Sequence, residues 1–357
     1  MSEAIPELVG VLSGAQVLAT ARSIAQVQRR DGSVPWESGG QVDAWDHVEC
    51  LMALDVAGLR DQARAGYEWL RREQRPDGSW GARYGLDGSV VDATGESNHA
   101  AYVAVGVLHH WLSGGGDDFL VRMWPVVRRA LGYVLGLVNS DGTIGWARSP
   151  SGSADPTALL TGCSSVHQAL RCGVLLAGRL GRDSVAAEWE VAADRLRSAI
   201  FRHCADPSEG LFADRGRFSM DWYYPVLGGA LLSEDALSRL GTQRELFVVP
   251  NSGIRCVADQ PWVTGAETCE LALAHTVLAD PDPAAELVEA MQHLRHEDGS
   301  YWTGMVLTDG VRWPVERSAW TGAAVILAVD ALSGQEARSR IFRPWELEDE
   351  IGSQIAS

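Results

Sequence analysis

The chain is predicted to be all-α, an (α/α)6 toroid or barrel of about six helical hairpins, on three observations. Two kinds of helical segment alternate along it, a short Asp-Gly turn followed by an aromatic recurs between them, and the connections alternate long and short. Segments with Arg/Glu faces span roughly 12–29, 60–74, 118–138, 183–203, 234–246 and 284–296, and suit an outer layer. Segments rich in Ala, Gly, Val and Leu on nearly every face span roughly 44–57, 96–112, 160–179, 221–232, 264–279 and 316–333, and suit a buried inner layer. No Pro- or Ser-rich linker divides the chain, so residues 1–335 read as a single toroid domain and 336–357 as an acidic tail. The run Glu346-Leu347-Glu348-Asp349-Glu350 reads as a solvated end.

Composition narrows the function classes. A net charge of −17 disfavours nucleic acid, whose phosphates need a basic surface. The start, Met1-Ser2-Glu3-Ala4-Ile5-Pro6-Glu7, has no basic segment leading into an apolar run, so no secretory signal is expected. The longest apolar stretch, Gly322 to Leu332, is too short to span a membrane and carries Asp330. Cys50, Cys163, Cys172, Cys204, Cys256 and Cys269 form no CxxC pair and read as reduced thiols in a cytoplasmic protein. Every positive residue is Arg, a signature of a GC-rich bacterial genome.

The recurring turn is clearest at Gly66-Tyr67-Glu68-Trp69-Leu70, Gln74 and Asp77-Gly78-Ser79-Trp80. Looser copies are Gln28 with Asp31-Gly32-Ser33 and Trp36, Asn139 with Asp141-Gly142-Thr143 and Trp146, and Asp298-Gly299-Ser300-Tyr301-Trp302. Gly accepts the positive φ of such a turn and Asp bonds its own backbone, so these copies read first as staples of the fold. The long connections carry these turns and lead into inner helices. They therefore share one face with the inner-helix N-termini, the expected mouth of a cavity.

That mouth collects ionisable groups that an inner helix facing only core should lack, because burying an unpaired charge is costly. In chain order the candidate catalytic carboxylates are Asp43, Asp46, Glu96, Asp221, Glu267 and Glu316. The candidate substrate contacts are Trp45, His47, His99, Trp222, Tyr223, Tyr224, Arg255, Trp262, Arg317 and Trp320. Any one acid at a helix N-terminus is as readily a cap, whereas the set interleaved with aromatics points to chemistry. Two chemistries fit: acid–base work on a sugar stacked on Trp and Tyr, and protonation of an alkene or epoxide among aromatic faces. His109-His110 reads as structural, and Ser164-Ser165 with His167 has no nucleophile-elbow context.

The Gly66–Trp80 stretch resembles the QW repeat of the squalene-hopene and oxidosqualene cyclases, which share an α/α toroid with the protein prenyltransferase β subunits. The resemblance implies this fold over roughly 12–333 and an enzyme that protonates or ionises an isoprenoid or similar hydrophobic substrate. The cyclases' Asp-x-Asp-Asp string is missing, its nearest analogue being Asp43-Ala44-Trp45-Asp46. The prenyltransferase zinc ligands are missing too: Glu267-Thr268-Cys269 is the nearest match, and Glu316-Arg317 stands where the His is sought. No metal site and no cofactor are expected, save Mg²⁺ if the substrate is a diphosphate. The expected partner is a small molecule, with a peripheral membrane contact compatible with a hydrophobic one, and the oligomeric state is open. The alternative is a carbohydrate-active six-hairpin hydrolase, lyase or epimerase using a carboxylate pair, and a non-catalytic ligand-binding toroid is the second alternative.

Overall fold

In the computed structural model, which describes residues 4–334, 336–343 and 346–347, the alternating pattern becomes two concentric layers of helices. Among the described residues thirteen α-helices follow in order: α1 Gly14–Val27, α2 Ala44–Val56, α3 Arg60–Glu73, α4 Ser97–His110, α5 Asp117–Leu135, α6 Leu160–Arg179, α7 Asp183–Ala205, α8 Ser219–Leu227, α9 Ser233–Thr242, the single turn α10 Arg244–Phe247, α11 Gly265–Val277, α12 Pro281–Ala290 and α13 Ala319–Ser333. The inner ring closes on itself, with α2 packed on α4, α4 on α6, α6 on α8, α8 on α11, α11 on α13 and α13 back on α2. These helices are buried on nearly every face, as their composition requires. Each inner helix except α13 is backed by the outer helix that follows it. The sixth pair is made from the two ends of the chain, α13 against α1.

The Asp-Gly turns hold this outer layer together. The Gln74 amide donates to the carbonyl of Gly78 at 3.0 Å, in its own turn, and to that of Val126 at 2.9 Å, on the next outer helix α5. Gln28 repeats this with Gly32 and with Gln62 of α3, both at 2.9 Å, and Asn139 reaches Thr143 and Pro156. Gly78 has a φ of +98°, and a Cβ placed there would lie 2.1 Å from the Arg129 carbonyl oxygen. Trp80 covers the preceding helix, donating its indole N–H to the Leu70 carbonyl at 2.9 Å. The last turn closes the circle: Thr20 of α1 donates its hydroxyl to the Gly299 carbonyl at 2.8 Å.

Some elements differ from their predicted bounds, each for a local reason. The segment read as 221–232 runs only over Ser219–Leu227, where Gly228 and Gly229 end α8; Gly229 has a φ of +70°. The segment read as 234–246 splits into α9 and α10, and α12 gives way to a 3₁₀ turn at Gln292–Leu294. Glu316 and Arg317 precede α13, whose true N-cap is Ser318. Short antiparallel strands, unforeseen in the sequence, pair within the long mouth loops as sheets of two, three and four strands.

Of the segment read as tail, residues 336–343 fold back over the end of the barrel opposite the mouth. Ile341 and Phe342 are buried, and Arg338 sits 3.5 Å from buried Asp330. Glu348–Glu350 lie outside the described residues. All six cysteines are unpaired thiols. Among the described residues no helix is long and apolar enough to cross a membrane.

Candidate active site

The N-termini of α2, α4, α6 and α13 open onto a cleft of about 460 Å³, and the residues at its walls come from the strand-bearing loops as well. Asp43, Trp45, Asp46, Glu96, His99 and Trp320 of the sequence-predicted set line it, joined by Trp36, Arg83, Asp92 and Asn98. Asp43 is the N-cap of α2, its carboxylate accepting from the Asp46 amide at 2.9 Å. Trp36 and Trp320 lie 5.6 Å apart across one wall. The Trp36 indole donates to Glu316 at 2.8 Å, where Thr303 also donates at 3.1 Å, so Glu316 anchors the cleft wall.

Carboxylates descend from the mouth in two tiers. Helical neighbours three residues apart share a face, which stacks Asp43, Asp46 and Glu49 on α2 and Glu267 and Glu270 on α11. The lower tier is fully bonded to aromatic donors. Glu49 accepts from the Trp320 indole at 2.7 Å, the Tyr102 hydroxyl at 3.0 Å and the Trp45 indole at 3.2 Å. Glu270 accepts from the Tyr223 and Tyr224 hydroxyls, each at 2.5 Å. Tyr224 lies 5.9 Å from Trp45, which stacks on Tyr102 at 4.6 Å, so one aromatic cluster joins the lower tiers of both helices.

Burial dominates the electrostatics here. It pushes the Glu49 carboxyl up to about 7 against the three hydrogen bonds that favour its charged form. Burial first, then the negative charge of Glu49, raises Glu270 well above the ordinary glutamate range. Asp46 is also raised well above its usual value, by burial and then by Asp43, Glu49 and Glu270. Its surroundings favour the protonated form, the condition a general acid needs.

Other predicted residues lie elsewhere. His47 is buried one step round α2 from Asp46, tied to the Val34 amide at 3.0 Å and the Gly66 carbonyl at 3.2 Å; burial lowers it to about 4. It braces the first Asp-Gly turn and does not reach the cleft. Trp222 points outward, donating to the Arg239 carbonyl at 2.8 Å and stacking on Phe247. Arg255 is engaged with the Leu246 carbonyl at 2.9 Å, and Arg317 pairs with Asp298 in the last Asp-Gly turn, so neither is poised for a phosphorylated ligand in the cleft. Trp262 packs edge-on against Trp313 at the rim. Asp221 is buried and accepts from the Thr161 hydroxyl at 2.5 Å and its amide at 3.3 Å, beside a small side pocket. His110 is bonded to buried Asp55 at 2.8 Å, far down α4. Among the described residues no group of three or more His, Cys, Asp and Glu side chains is arranged to hold a metal ion.

Glu270 was missed by sequence reasoning and Glu49 was left out of the catalytic set. The signal was the i, i+3 repeat of acids running into an otherwise apolar helix, where a buried charge needs partners.

Comparison with known proteins bears on the resemblance drawn from the turns. No family model matches the chain. Solved structures share the fold: a glycosidase aligns with a TM-score of 0.70 at 14% identity over 90% of this chain and 97% of its own. A D-mannose isomerase aligns at 0.65 and 12% over 88% and 96%. A bacterial glucoamylase solved with acarbose aligns at 0.70 and 12%, over 91% of this chain and 57% of its own. The isoprenoid-cyclase and prenyltransferase reading is thereby corrected, since its Gln–Asp-Gly–Trp evidence proves to be outer-layer stapling, a demand of the fold and not of one chemistry. At 51% identity over 345 residues, spanning 97% of this chain and 94% of its relative, the chain belongs to the family of the MMP endo-(1,4)-3-O-methyl-α-D-mannosidase of Mycolicibacterium hassiacum.

Proposed function

We propose that this chain is an endo-acting glycosidase that hydrolyses α-(1→4) bonds in a 3-O-methylmannose polymer, as the name of its relative describes. The observation that carries the reading is that identity of 51% along nearly the whole of both chains. The cleft supports it with an acid of raised pKa beside Trp36, Trp45 and Trp320, whose faces are suited to stacking on sugar rings.

In this reading Asp46 protonates the leaving glycosidic oxygen, with Asp43 orienting it. Glu267, at the same level on α11, is the partner that takes a proton from the attacking water. The helices α2 and α11 are second neighbours in the ring, separated by α13. A base that activates water in this way acts with inversion at the anomeric carbon. Asp46→Asn and Glu267→Gln are each expected to lower kcat by about 10²–10⁴-fold with the helical circular dichroism unchanged. In wild type, activity falls as pH rises through the raised pKa of Asp46, because the acid then lacks its proton. Retention of wild-type turnover by both variants on methylated α-(1→4)-mannooligosaccharide would remove this assignment. The anomer released, followed by proton NMR, tests the role of Glu267.

A further inference from the structure

A second, smaller pocket of about 140 Å³ branches from the cleft and shares Glu96, Asn98, Thr161 and Met220 with it. Its deeper wall is apolar, made by Ile144, Leu159, Cys163, Phe218, Met220 and Cys256. Some of the polar atoms beside that wall are already engaged. The Asp221 carboxylate is taken by the amide and hydroxyl of Thr161, and the Cys163 thiol donates to the Ile144 carbonyl at 3.3 Å. The Arg215 guanidinium lies over the Phe218 ring at 4.5 Å. Cys256 lies beside Glu267, whose charge, after burial, raises its thiol pKa. The pocket therefore reaches from the Asp46 side of the cleft towards the Glu267 side.

Resting on the glycosidase reading, we propose that this pocket is the subsite for the 3-O-methyl group of a sugar bound next to the Asp46–Glu267 pair. A methyl ether has no hydrogen to donate and adds apolar surface, so it packs on the wall of Ile144, Leu159, Phe218 and Met220 without losing a hydrogen bond. A free 3-hydroxyl in the same place gives up its water contacts and finds few partners. The pocket is thus a selectivity element that tells methylated from unmethylated mannan through a single carbon. One such group in an apolar pocket is worth about 10–200-fold in kcat/KM.

The test compares kcat/KM on 3-O-methylated and unmethylated α-(1→4)-mannotetraose for the wild type, Met220→Gln and Leu159→Asn. Each variant puts an amide into the pocket lining, and thermal melting confirms that each is folded. The expected result is a wild-type preference of at least about 10-fold for the methylated substrate, falling to within about 3-fold in either folded variant. A wild type that cleaves both substrates equally, or folded variants that keep the full preference, would overturn the subsite while leaving the glycosidase reading intact. A wild type that cleaves neither would remove the glycosidase reading, and the subsite with it.

Discussion

At the scale of the residue, the site is governed by acids that are buried before they are charged. Glu49 shows the thermodynamic consequence. Its folded pKa, raised to about 7 by burial, exceeds the ordinary value of 4.5. Between those two pH values the unfolded chain has released a proton that the folded chain keeps. The contribution of Glu49 to stability is therefore full below 4.5, falls as pH rises, and is lost above 7. Glu49→Gln removes that titration. From pH 5 to pH 8 the wild type should lose about 3 °C more in Tm than the variant does, measured by differential scanning fluorimetry. An equal slope for the two proteins would mean that Glu49 is ionised throughout. The sequence identified the inner-helix acids as a group, because charge in a nearly all-apolar helix is visible without coordinates. It did not separate Asp46 from His47, one residue apart, because a 100° turn of the helix decides which side chain meets the cleft. Arg317 and Trp222 were misplaced for the same reason: their partners, Asp298 and Phe247, lie far along the chain.

At the scale of the element, the Asp-Gly turns are the most legible feature, and they led to the wrong chemistry. Their Gln, Gly and Trp positions specify how successive outer helices are clamped, a requirement shared by toroids of any activity. Gly78→Ala puts a methyl group against the Arg129 carbonyl and forces a side chain onto a φ of +98°. The variant should unfold at about 2–4 kcal/mol lower stability in urea, whereas Gly88→Ala, at an open hairpin tip, should cost about 1 kcal/mol. Similar losses at the two positions would show that the close approach to α5 carries no weight. Helix termini were less legible than helix existence, since Gly228 and Gly229 end α8 by a contact with α6 that no local pattern announces. The short mouth strands were invisible because each is paired across loops that only the closed ring brings together.

At the scale of the whole molecule, the two ends of the barrel have different tasks. The mouth keeps its acids at the cleft, while the far end is sealed by residues 336–343. There Ser339 donates to one oxygen of buried Asp330 at 3.0 Å, the Arg338 guanidinium lies 3.5 Å from the other, and Gln168 donates to the Ile341 carbonyl at 3.3 Å. Arg338→Ala should destabilise the protein by about 3 kcal/mol at pH 8, as for one partner removed from a buried ion pair. The loss should shrink at pH 5, because burial raises the Asp330 pKa and the orphaned acid can take up a proton. Urea titrations at the two pH values measure both effects, and a loss independent of pH would assign the cost to packing alone.

Ring closure by the two chain ends has a further consequence. The Trp320 indole meets Glu49 across 271 residues of sequence, and Trp36 meets Glu316 across 280. The cleft thus straddles the one junction in the ring that no peptide connects. A nascent chain carries no site until its last helix has been made and has found its first, so turnover itself reports that the circle is complete.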